Sequence, residues 1–538
     1  MESARMSEES ADAVVIGAGH NGLVAANLLA DAGWQVLVLE AAERPGGAVH
    51  TEEITAPGYR SDLCSAFFPM SAASPVFAQL NLERYSLTWR HAPDVVAHVL
   101  PDGRSAVLSR DLDRTIRSVS EFAEQDGAAW ERMHEQWTRL REPLLDVLFQ
   151  PFPPVRAGAR LLRRIGAAEA LRLARMVTLS ARTLTDEWFA GDGARLLLAG
   201  NAMHADVGVD NAGSGVFGWL LAMLGQDVGF PVPEGGAGQI TAALVRRLTE
   251  RGGEIVCNRR VDRVLVAGGR AVGVRDSEGQ PVRARRAVLA DVPAPALYRD
   301  LVGAEHLPAR LVDDLDRFHW DPATIKVDWA LSGPVPWPAE QVRGAGTVHL
   351  GADMDGMSTF AVDLARGRTP RDPFLLLGQM TTADPSRSPA GTEAVWAYTH
   401  VPHGQRWDST RLARAADRVE RTVERHAPGF GDLVVARAVQ GPDDLHGHNL
   451  SLVDGAINGG TSAIHQELFF RPVPGLARSD TPVQRLFLAS ASAHPGGAVF
   501  FWSGQQRRSG RAGPRRLGRR RLPGRDQRRP PVGLRLNR

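Results

Sequence analysis

The first forty residues alternate between apolar runs and a glycine-rich turn. Residues 13–16 form a short apolar run, which predicts a buried parallel strand. Residues 23–32 follow with apolar positions at helical spacing, and residues 35–39 form a second apolar run. The order strand, helix, strand predicts a βαβ unit at the start of the chain.

The turn between the first strand and the helix carries glycine at three set positions. Gly17, Gly19 and Gly22 form G-x-G-x-x-G, and Glu40 ends the second strand about twenty residues later. The glycines allow a tight turn, a close approach of the backbone to a pyrophosphate, and close packing of helix on strand. The helix N-terminus offers unpaired N–H groups, and Glu40 can accept hydrogen bonds from a ribose. The pattern predicts a binding site for an ADP-containing cofactor.

Apolar patterning of the same kind returns much later in the chain. It predicts a helix over 240–251, a strand over 254–257, a hairpin over 261–274 and a strand over 287–290. A last core strand is expected over 485–489. With 538 residues, 43% of them hydrophobic, the chain can bury a large core and is expected to form two connected domains.

Several motifs occur in a fixed order along the chain. The run V-I-G-A-G-H-N-G-L-V at 15–24 is followed by Glu40, a glycine doublet and T-E at 51–52. Later segments are P-E-G-G at 233–236, F-R-P-V-P-G at 470–475 and A-H-P-G-G at 493–497. The sequence resembles the phytoene desaturase-like FAD-dependent oxidoreductases, which include carotenoid desaturases, carotenoid ketolases and pyridine nucleotide-disulfide oxidoreductase domain 2 proteins. The resemblance extends to about residue 499.

The resemblance implies FAD as the cofactor and assigns residues to it. It places Glu40 on the ribose, Gly46 and Gly47 near the pyrophosphate and flavin, and backbone groups of Val261 on the adenine. The full set of expected cofactor-binding residues is Gly17, Ala18, Gly19, Asn21, Gly22, Glu40, Arg44, Gly46, Gly47 and Val261. The chemistry is expected to belong to the flavin, with the protein shaping a dry apolar tunnel for the substrate.

The predicted fold class is α/β, with a discontinuous Rossmann-type FAD-binding domain and an inserted α+β substrate domain. The FAD-binding domain is expected to comprise residues 12–65, 230–297 and 483–499. The substrate domain is expected to comprise residues 66–229, largely helical, and 298–482.

A basic and apolar stretch over 156–175 has two interpretations. It predicts either an ordinary amphipathic helix that packs on the core, which we favour, or a helix that lies on a membrane surface. There is no run of eighteen apolar residues, which argues against a transmembrane helix, and residues 1–11 lack an apolar signal-peptide core. A cytoplasmic location is expected, with peripheral membrane contact left open.

The spacing of cysteine and histidine residues limits which redox, metal and catalytic sites the chain can form. Cys64 and Cys257 form no C-x-x-C, which argues against a redox-active disulfide, and no metal site is expected. His494, within the A-H-P-G-G motif, is the preferred site histidine, and His465 is a weaker candidate on the substrate side. Beyond these two no catalytic residue is assigned. The sequence has no G-x-S-x-G elbow and no P-loop.

The formal net charge of +2 is the sum of a strongly basic C-terminal segment and an acidic remainder of the chain. Residues 507–538 hold thirteen arginines and a single acid, whereas the rest has 50 basic and 60 acidic residues. With permitted codons, residues 502–513 read one base later give G-P-G-N-N-A-A-R-A-A-L-A, which resembles the closing motif of the family. We therefore predict that residues 502–538 are a frameshifted, disordered tail and not a nucleic-acid-binding arm.

The resulting function hypothesis is hydride transfer to FAD from an apolar, isoprenoid or carotenoid-type substrate. Three alternatives remain open: ketolase-like oxygenation, an inactive FAD-poor remnant that lacks the closing motif, and an NAD-dependent dehydrogenase. The sequence does not predict the oligomeric state, the electron acceptor or the substrate itself.

Overall fold

A computed structural model of the chain describes residues 9–150 and 152–497. The predicted frameshifted tail, 502–538, lies outside the described residues. Two large sheets organise the described part, and a set of mainly helical segments packs on them.

The strands are, in chain order, β1 (Ser10–Ile16), β2 (Val36–Leu39), β3 (Thr51–Glu52), β4 (Ser61–Asp62), β5 (Trp89–Arg90), β6 (Asp94–Val99), β7 (Ser105–Leu108), β8 (Val232–Pro233), β9 (Glu254–Val256), β10 (Val261–Ala267), β11 (Arg270–Asp276), β12 (Pro281–Ala290), β13 (Ala323–Leu331), β14 (Ala345–Leu350), β15 (Leu375–Gln379), β16 (Glu393–Val401), β17 (Val434–Gln440) and β18 (Leu486–Leu488).

The α-helices are, in chain order, α1 (His20–Asp31), α2 (Pro69–Ala73), α3 (Pro75–Leu80), α4 (Leu112–Ser120), α5 (Glu124–Leu148), α6 (Val155–Thr178), α7 (Ala181–Trp188), α8 (Asp192–Ala202), α9 (Ser214–Asp227), α10 (Gly238–Glu250), α11 (Ala309–Asp316), α12 (Met354–Ala365), α13 (Met380–Ala383), α14 (Ser409–His426) and α15 (Pro442–His448).

The first sheet has a parallel centre in the order β18, β12, β1, β2, β9, with β11 and β10 extending it beside β12. In register, Val14 of β1 lies between Val288 of β12 and Leu37 of β2. Helices α1 and α10 cover one face, where their apolar residues share a core with β1 and β2. Strands far apart in sequence thus meet in one sheet, which confirms the predicted discontinuous Rossmann-type α/β fold.

The second sheet has the order β17, β13, β16, β15, β14, β6, β7. Its strands run antiparallel except for the parallel pair β14 and β6. Strands β6 and β7 come from the predicted substrate-domain segment 66–229, and the other five come from the segment 298–482. The amphipathic helix α14 packs its apolar side, including Val419 and Val423, on this sheet. The sheet and its helices form the α+β part of the predicted fold class.

Residues 66–229 are largely helical, as expected, with α2 and α3 before the short strands β5 to β7 and α4 to α9 after them. The basic helix α6 packs beside α5, but only its residues Ala157 and Met176 are buried. Within the described residues, none of the helices combines the length and the apolar character that crossing a membrane requires.

Candidate functional site

The turn after β1 requires glycine for steric reasons. Gly17 has a φ of +90°, in the region that favours glycine. A Cβ on Gly22 would lie 2.3 Å from the carbonyl oxygen of Gly17, and one on Gly19 would lie 2.5 Å from Asp291 Oδ2. The turn therefore brings its backbone close to the following helix and to the end of β12, and α1 begins directly after Gly19.

The carboxylate of Glu40 lies beside this turn, at the end of β2. Glu40 accepts hydrogen bonds from the N–H groups of Ala18, at 2.5 Å, and Ala42, at 2.9 Å. These bonds fix the carboxylate next to the glycine turn, and each oxygen has a further lone pair for a ligand hydroxyl. Glu40 therefore occupies the place from which a ribose of a bound dinucleotide can be recognised.

A second glycine turn lies against the first. Gly46 and Gly47 have φ values of +133° and +57°, and the N–H of Gly46 donates to the carbonyl of Ala18 at 2.9 Å. A Cβ on Gly47 would lie 3.2 Å from Gly19 Cα. Only glycines allow two loops to approach this closely, so backbone N–H groups of both turns can face the same ligand.

These loops border a cavity of about 750 Å³. Seven of the expected cofactor-binding residues line it, namely Gly17, Gly19, Asn21, Glu40, Arg44, Gly47 and Val261. The other three, Ala18, Gly22 and Gly46, lie within the same turns but are not part of its wall. The sequence thus identified part of the cavity wall, and the assignment of these residues to a cofactor stays a prediction.

The sequence did not identify Asp291, which also lines the cavity. It directly follows β12, and its Oδ2 accepts the N–H of Gly22 at 2.8 Å. Loss of solvent, and then the nearby charge of Glu40, raise the pKa of Asp291 to about 7. Its position could have been inferred, because the carboxyl ends of parallel strands meet at the edge where such folds bind ligands.

The rest of the cavity wall includes residues to which the sequence assigned no cofactor contact. These are the region from His446 to Val453, at the end of α15, together with Ile457 and Gly459. Residues Ser490, Ala491 and Ser492, just after β18, also line the cavity, and they belong to the segment 483–499 that the sequence placed in the FAD-binding domain. No periodic pattern marks residues 446–459, so only their tertiary contacts reveal their place.

The two candidate histidines lie outside the wall of this cavity. His494 is buried, with its ring edge-on to Phe152, and burial lowers its pKa to about 4, so it is neutral. His465 is exposed on the surface, where its Nε2 lies 3.2 Å from Nδ1 of His319. The structure therefore does not bring these two side chains together at one site.

The cavity fits FAD, the cofactor that the resemblance implies. Glu40 and Val261 would hold its adenosine part, the two glycine turns its pyrophosphate, and the end formed by Gly459 and Ser490–Ser492 its flavin. Among the described residues no group of three histidine, cysteine, aspartate or glutamate side chains could hold a metal ion, and both cysteines are free thiols.

Comparisons with known proteins agree with this geometry. The pyridine nucleotide-disulfide oxidoreductase domain-containing protein 2 of Rattus norvegicus is 29% identical, over 92% of both chains. The zeta-carotene-forming phytoene desaturase of Myxococcus xanthus is 27% identical over 90% of both. A limonene dehydrogenase chain of Castellaniella defragrans is 24% identical over 93% of this chain and 94% of its own.

Solved structures show the same fold. An oxidoreductase from Methanosarcina mazei superposes with a TM-score of 0.61 at 17% identity, covering 91% of this chain and 97% of its own. Putrescine oxidase bound to putrescine gives a TM-score of 0.58 at 17% identity, covering 93% and 98%. Residues 22–499 match the family described as flavin containing amine oxidoreductase. The chain belongs to this family of FAD-dependent oxidoreductases.

Proposed function

We propose that the protein is an FAD-dependent dehydrogenase or desaturase that removes hydride from an apolar, isoprenoid or carotenoid-type substrate. The names of its relatives support this class, since the phytoene desaturase and the limonene dehydrogenase act, by name, on terpenoid hydrocarbons. Both relatives match this chain over nine-tenths of their own length or more. When bound, FAD supplies the acceptor for the hydride at its N5 atom.

The observation that carries the proposal is a second cavity, of about 280 Å³, which adjoins the same chain segment, 457–461, as the cofactor cavity. Ile457 and Gly459 line the cofactor cavity, whereas Thr461 lines the second one. Most of its wall is apolar, with side chains from Met203, Val207, Trp320, Pro322, Phe360, Ala361, Leu364, Ala365, Pro402 and Ala463. A wall of this kind binds hydrocarbon well and desolvates the reacting carbon.

The charged groups of this second cavity argue against a cationic amine as the substrate. Among the described residues of its wall Asp206 is the only acid, and its Oδ1 lies 2.6 Å from Nε2 of His400. Burial alone would lower the pKa of His400, but the carboxylates of Asp206 and Asp321 raise it overall. Both carboxylate oxygens of Asp206 therefore have protein partners, His400 on Oδ1 and the side-chain amide of Asn458 on Oδ2, so the one acid of the described wall is not left free to bind an ammonium group.

The test is anaerobic reduction of the FAD-loaded protein with a panel of compounds. Terpenes and linear polyenes are expected to bleach the flavin absorbance, and putrescine is expected to leave it unchanged. Product analysis then separates desaturation, which removes two hydrogens, from ketolase-like oxygenation, which adds oxygen. Bleaching by amines alone would overturn the assignment to an apolar substrate.

We further propose a peripheral contact of α6 with an anionic membrane, from which an apolar substrate would enter. In α6, which is kinked at Gly166, Leu162 and Leu171 are 50% and 72% exposed, and Arg156 and Arg163 are exposed as well. Other arginines of α6 pair with acids of α5, as Arg160 does with Asp146, which equally fits the packing role favoured from sequence. Apolar and cationic side chains on one helix are typical of interfacial binding.

Vesicle sedimentation tests this contact. A variant with both Leu162→Glu and Leu171→Glu is expected to lose binding to vesicles that contain anionic lipid. Val435→Glu, at an equally exposed position on the second sheet, is the matched control and is expected to bind as the unaltered protein does. Equal binding of all three proteins would leave α6 with packing as its only role.

A further inference from the structure

The segment Ile457, Asn458, Gly459, Gly460 forms part of the wall of the cofactor cavity and borders the second cavity, where the side-chain amide of Asn458 donates to Asp206. Its first and third residues line the cofactor cavity, and Thr461, the next residue after it, lines the apolar one. The segment has no regular secondary structure, and its two glycines have φ values of +67° and +126°. A wall of this kind needs support from outside itself to keep one conformation.

The buried carboxylate of Asp321 accepts hydrogen bonds from backbone N–H groups of this wall. Asp321 is fully buried, and its Oδ2 accepts the N–H groups of Ile457, at 2.6 Å, and Asn458, at 2.9 Å. Its Oδ1 accepts the N–H of Gly460 at 3.2 Å. Three backbone donors therefore converge on one side chain that lies just before β13, 136 residues away from Ile457.

The buried guanidinium of Arg471 donates hydrogen bonds to backbone carbonyl groups of the same wall. Arg471 is fully buried, and its Nη2 donates to the carbonyls of Asn458, at 2.6 Å, and Gly460, at 3.3 Å. Its Nη1 donates to the carbonyl of Thr461 at 3.0 Å. The carboxylate of Glu467 lies 2.8 Å from Nη1 and compensates the charge.

The same arginine also contacts a second, neighbouring segment of the cofactor-cavity wall. Its Nε donates to the carbonyl of Ala491 at 2.9 Å, and Ala491 lines the cavity. The hydroxyl of Ser492 donates to the carbonyl of Gly459 at 2.7 Å, which joins the two segments directly. Arg471 therefore fixes both segments that close the flavin end of the cavity relative to each other.

We propose that Asp321 and Arg471 are positioning residues that clamp the 457–460 wall, which borders both cavities. The carboxylate holds the N–H groups and the guanidinium holds the carbonyl groups, so the pair fixes the direction of the peptide dipoles as well as the position of the wall. Charged groups buried with this many backbone partners hold a loop far more firmly than neutral ones. The inference rests on the proposed function only for the assignment of the second cavity to the substrate.

The test compares Asp321→Asn and Arg471→Lys in the full chain with a matched control, Arg247→Lys. Arg247 is also a buried arginine with several partners, the carbonyl of Leu80 and the side chains of Asn27 and Asp31, but it lies away from both cavities. Backbone hydrogen exchange by mass spectrometry and titration with FAD are measured for each protein.

Asp321→Asn is expected to accelerate exchange in 457–460 about tenfold, because its amide group places a donor against a backbone N–H. Arg471→Lys is expected to accelerate exchange in 457–461 and to loosen the segment around Ala491. Both are expected to weaken FAD binding several-fold and to shift the flavin absorbance maximum. Arg247→Lys is expected to lower the melting temperature without these local effects.

Exchange in 457–460 that stays as slow in both variants as in the control would overturn the clamp, whatever FAD binding shows. If Arg471→Lys does not fold, Asp321→Asn decides alone, since it changes no side-chain volume. The exchange measurement requires no substrate, so a wrong assignment of the substrate class leaves its outcome unaffected.

Discussion

At the residue scale, the protonation state of Asp291 is expected to affect how tightly the cofactor binds. Its carboxyl group accepts the N–H of Gly22 at the start of α1, where the phosphates of a dinucleotide are expected. A neutral carboxyl there is compatible with a pyrophosphate, whereas a carboxylate repels it. Because desolvation raises the pKa of Asp291 to about 7, the change between the two forms occurs near neutral pH.

This position gives a prediction for pH dependence. In the unfolded chain Asp291 titrates near 3.8, so between that pH and about 7 the folded protein holds a proton that the unfolded chain has lost. Its stabilising contribution is complete below the unfolded pKa and is lost as pH rises through 7. The loss is at most about 4 kcal/mol, and less where solvent in the cavity screens the charge.

Asp291→Asn is expected to remove this dependence and to bind FAD more tightly than the unaltered protein at pH 8. Urea unfolding and FAD titration at pH 6 and pH 8 measure both effects. If the two proteins lose stability and FAD affinity to the same extent between these pH values, a titratable group other than Asp291 causes the pH dependence.

Gly19 gives a steric prediction at the same turn. Its φ is −65°, so alanine is allowed by the backbone, but a Cβ would lie 2.5 Å from Asp291 Oδ2. We expect Gly19→Ala to weaken FAD binding at least about tenfold, since one of these groups must move from the cofactor cradle. In the control Gly158→Ala, within exposed α6, a Cβ meets nothing within 4 Å, and stability is expected to rise by about 1 kcal/mol. Unchanged FAD affinity in Gly19→Ala would show that the turn adapts.

At the scale of elements, the two halves of the fold are joined by a buried ion pair. Asp62 of β4 and Arg387, in the short turn Pro385–Arg387, lie 2.8 Å apart with fully buried side chains. Asp62 also accepts the hydroxyl of Thr51 and the N–H of Ala237. Removing the carboxylate would leave a buried guanidinium without its counter-charge.

We therefore expect Asp62→Ala to lower the free energy of unfolding by about 3–5 kcal/mol. The exposed pair of Glu142 and Arg164 provides the control, since Glu142→Ala is expected to cost less than about 1 kcal/mol. Thermal unfolding of both variants measures the difference. Equal melting temperatures would mean that solvent reaches Arg387 once Asp62 is gone.

Local sequence predicted the elements of the first sheet closely, because apolar runs bounded by glycine leave few alternatives. The strand predicted over 35–39 is Val36–Leu39, and the helix predicted from residue 23 begins at His20, because Gly19 is its N-cap. The wall at 457–460 was not predicted, because its conformation depends on Asp321 and Arg471 and on no periodicity of its own. Elements set by local pattern were predictable, and a loop set by distant charges was not.

At the scale of the whole molecule, the resemblance supplied what local patterns could not. Patterning predicts that β1 and β12 are strands, but their pairing joins residues more than 250 positions apart. The motifs implied this discontinuous arrangement, and the fold confirms it. The domain boundaries at 65, 229, 297 and 482 remain predictions, as does the assignment of individual residues to FAD.

The last prediction concerns the reading frame after the described part of the chain. The match to the flavoprotein family ends at residue 499, and Ser490–Ser492 are the last described residues that line the cofactor cavity. With permitted codons, shifting the frame by one base would give a motif rich in glycine and small residues, which the resemblance places over the flavin. We expect the frame-restored protein to purify with flavin bands in its visible spectrum and the given chain to show weak bands or none. A chain truncated after residue 501 is the control, and it should behave as the given chain does. Stoichiometric flavin in all three would show that the described residues hold FAD by themselves, and substrate screening could then use the given chain.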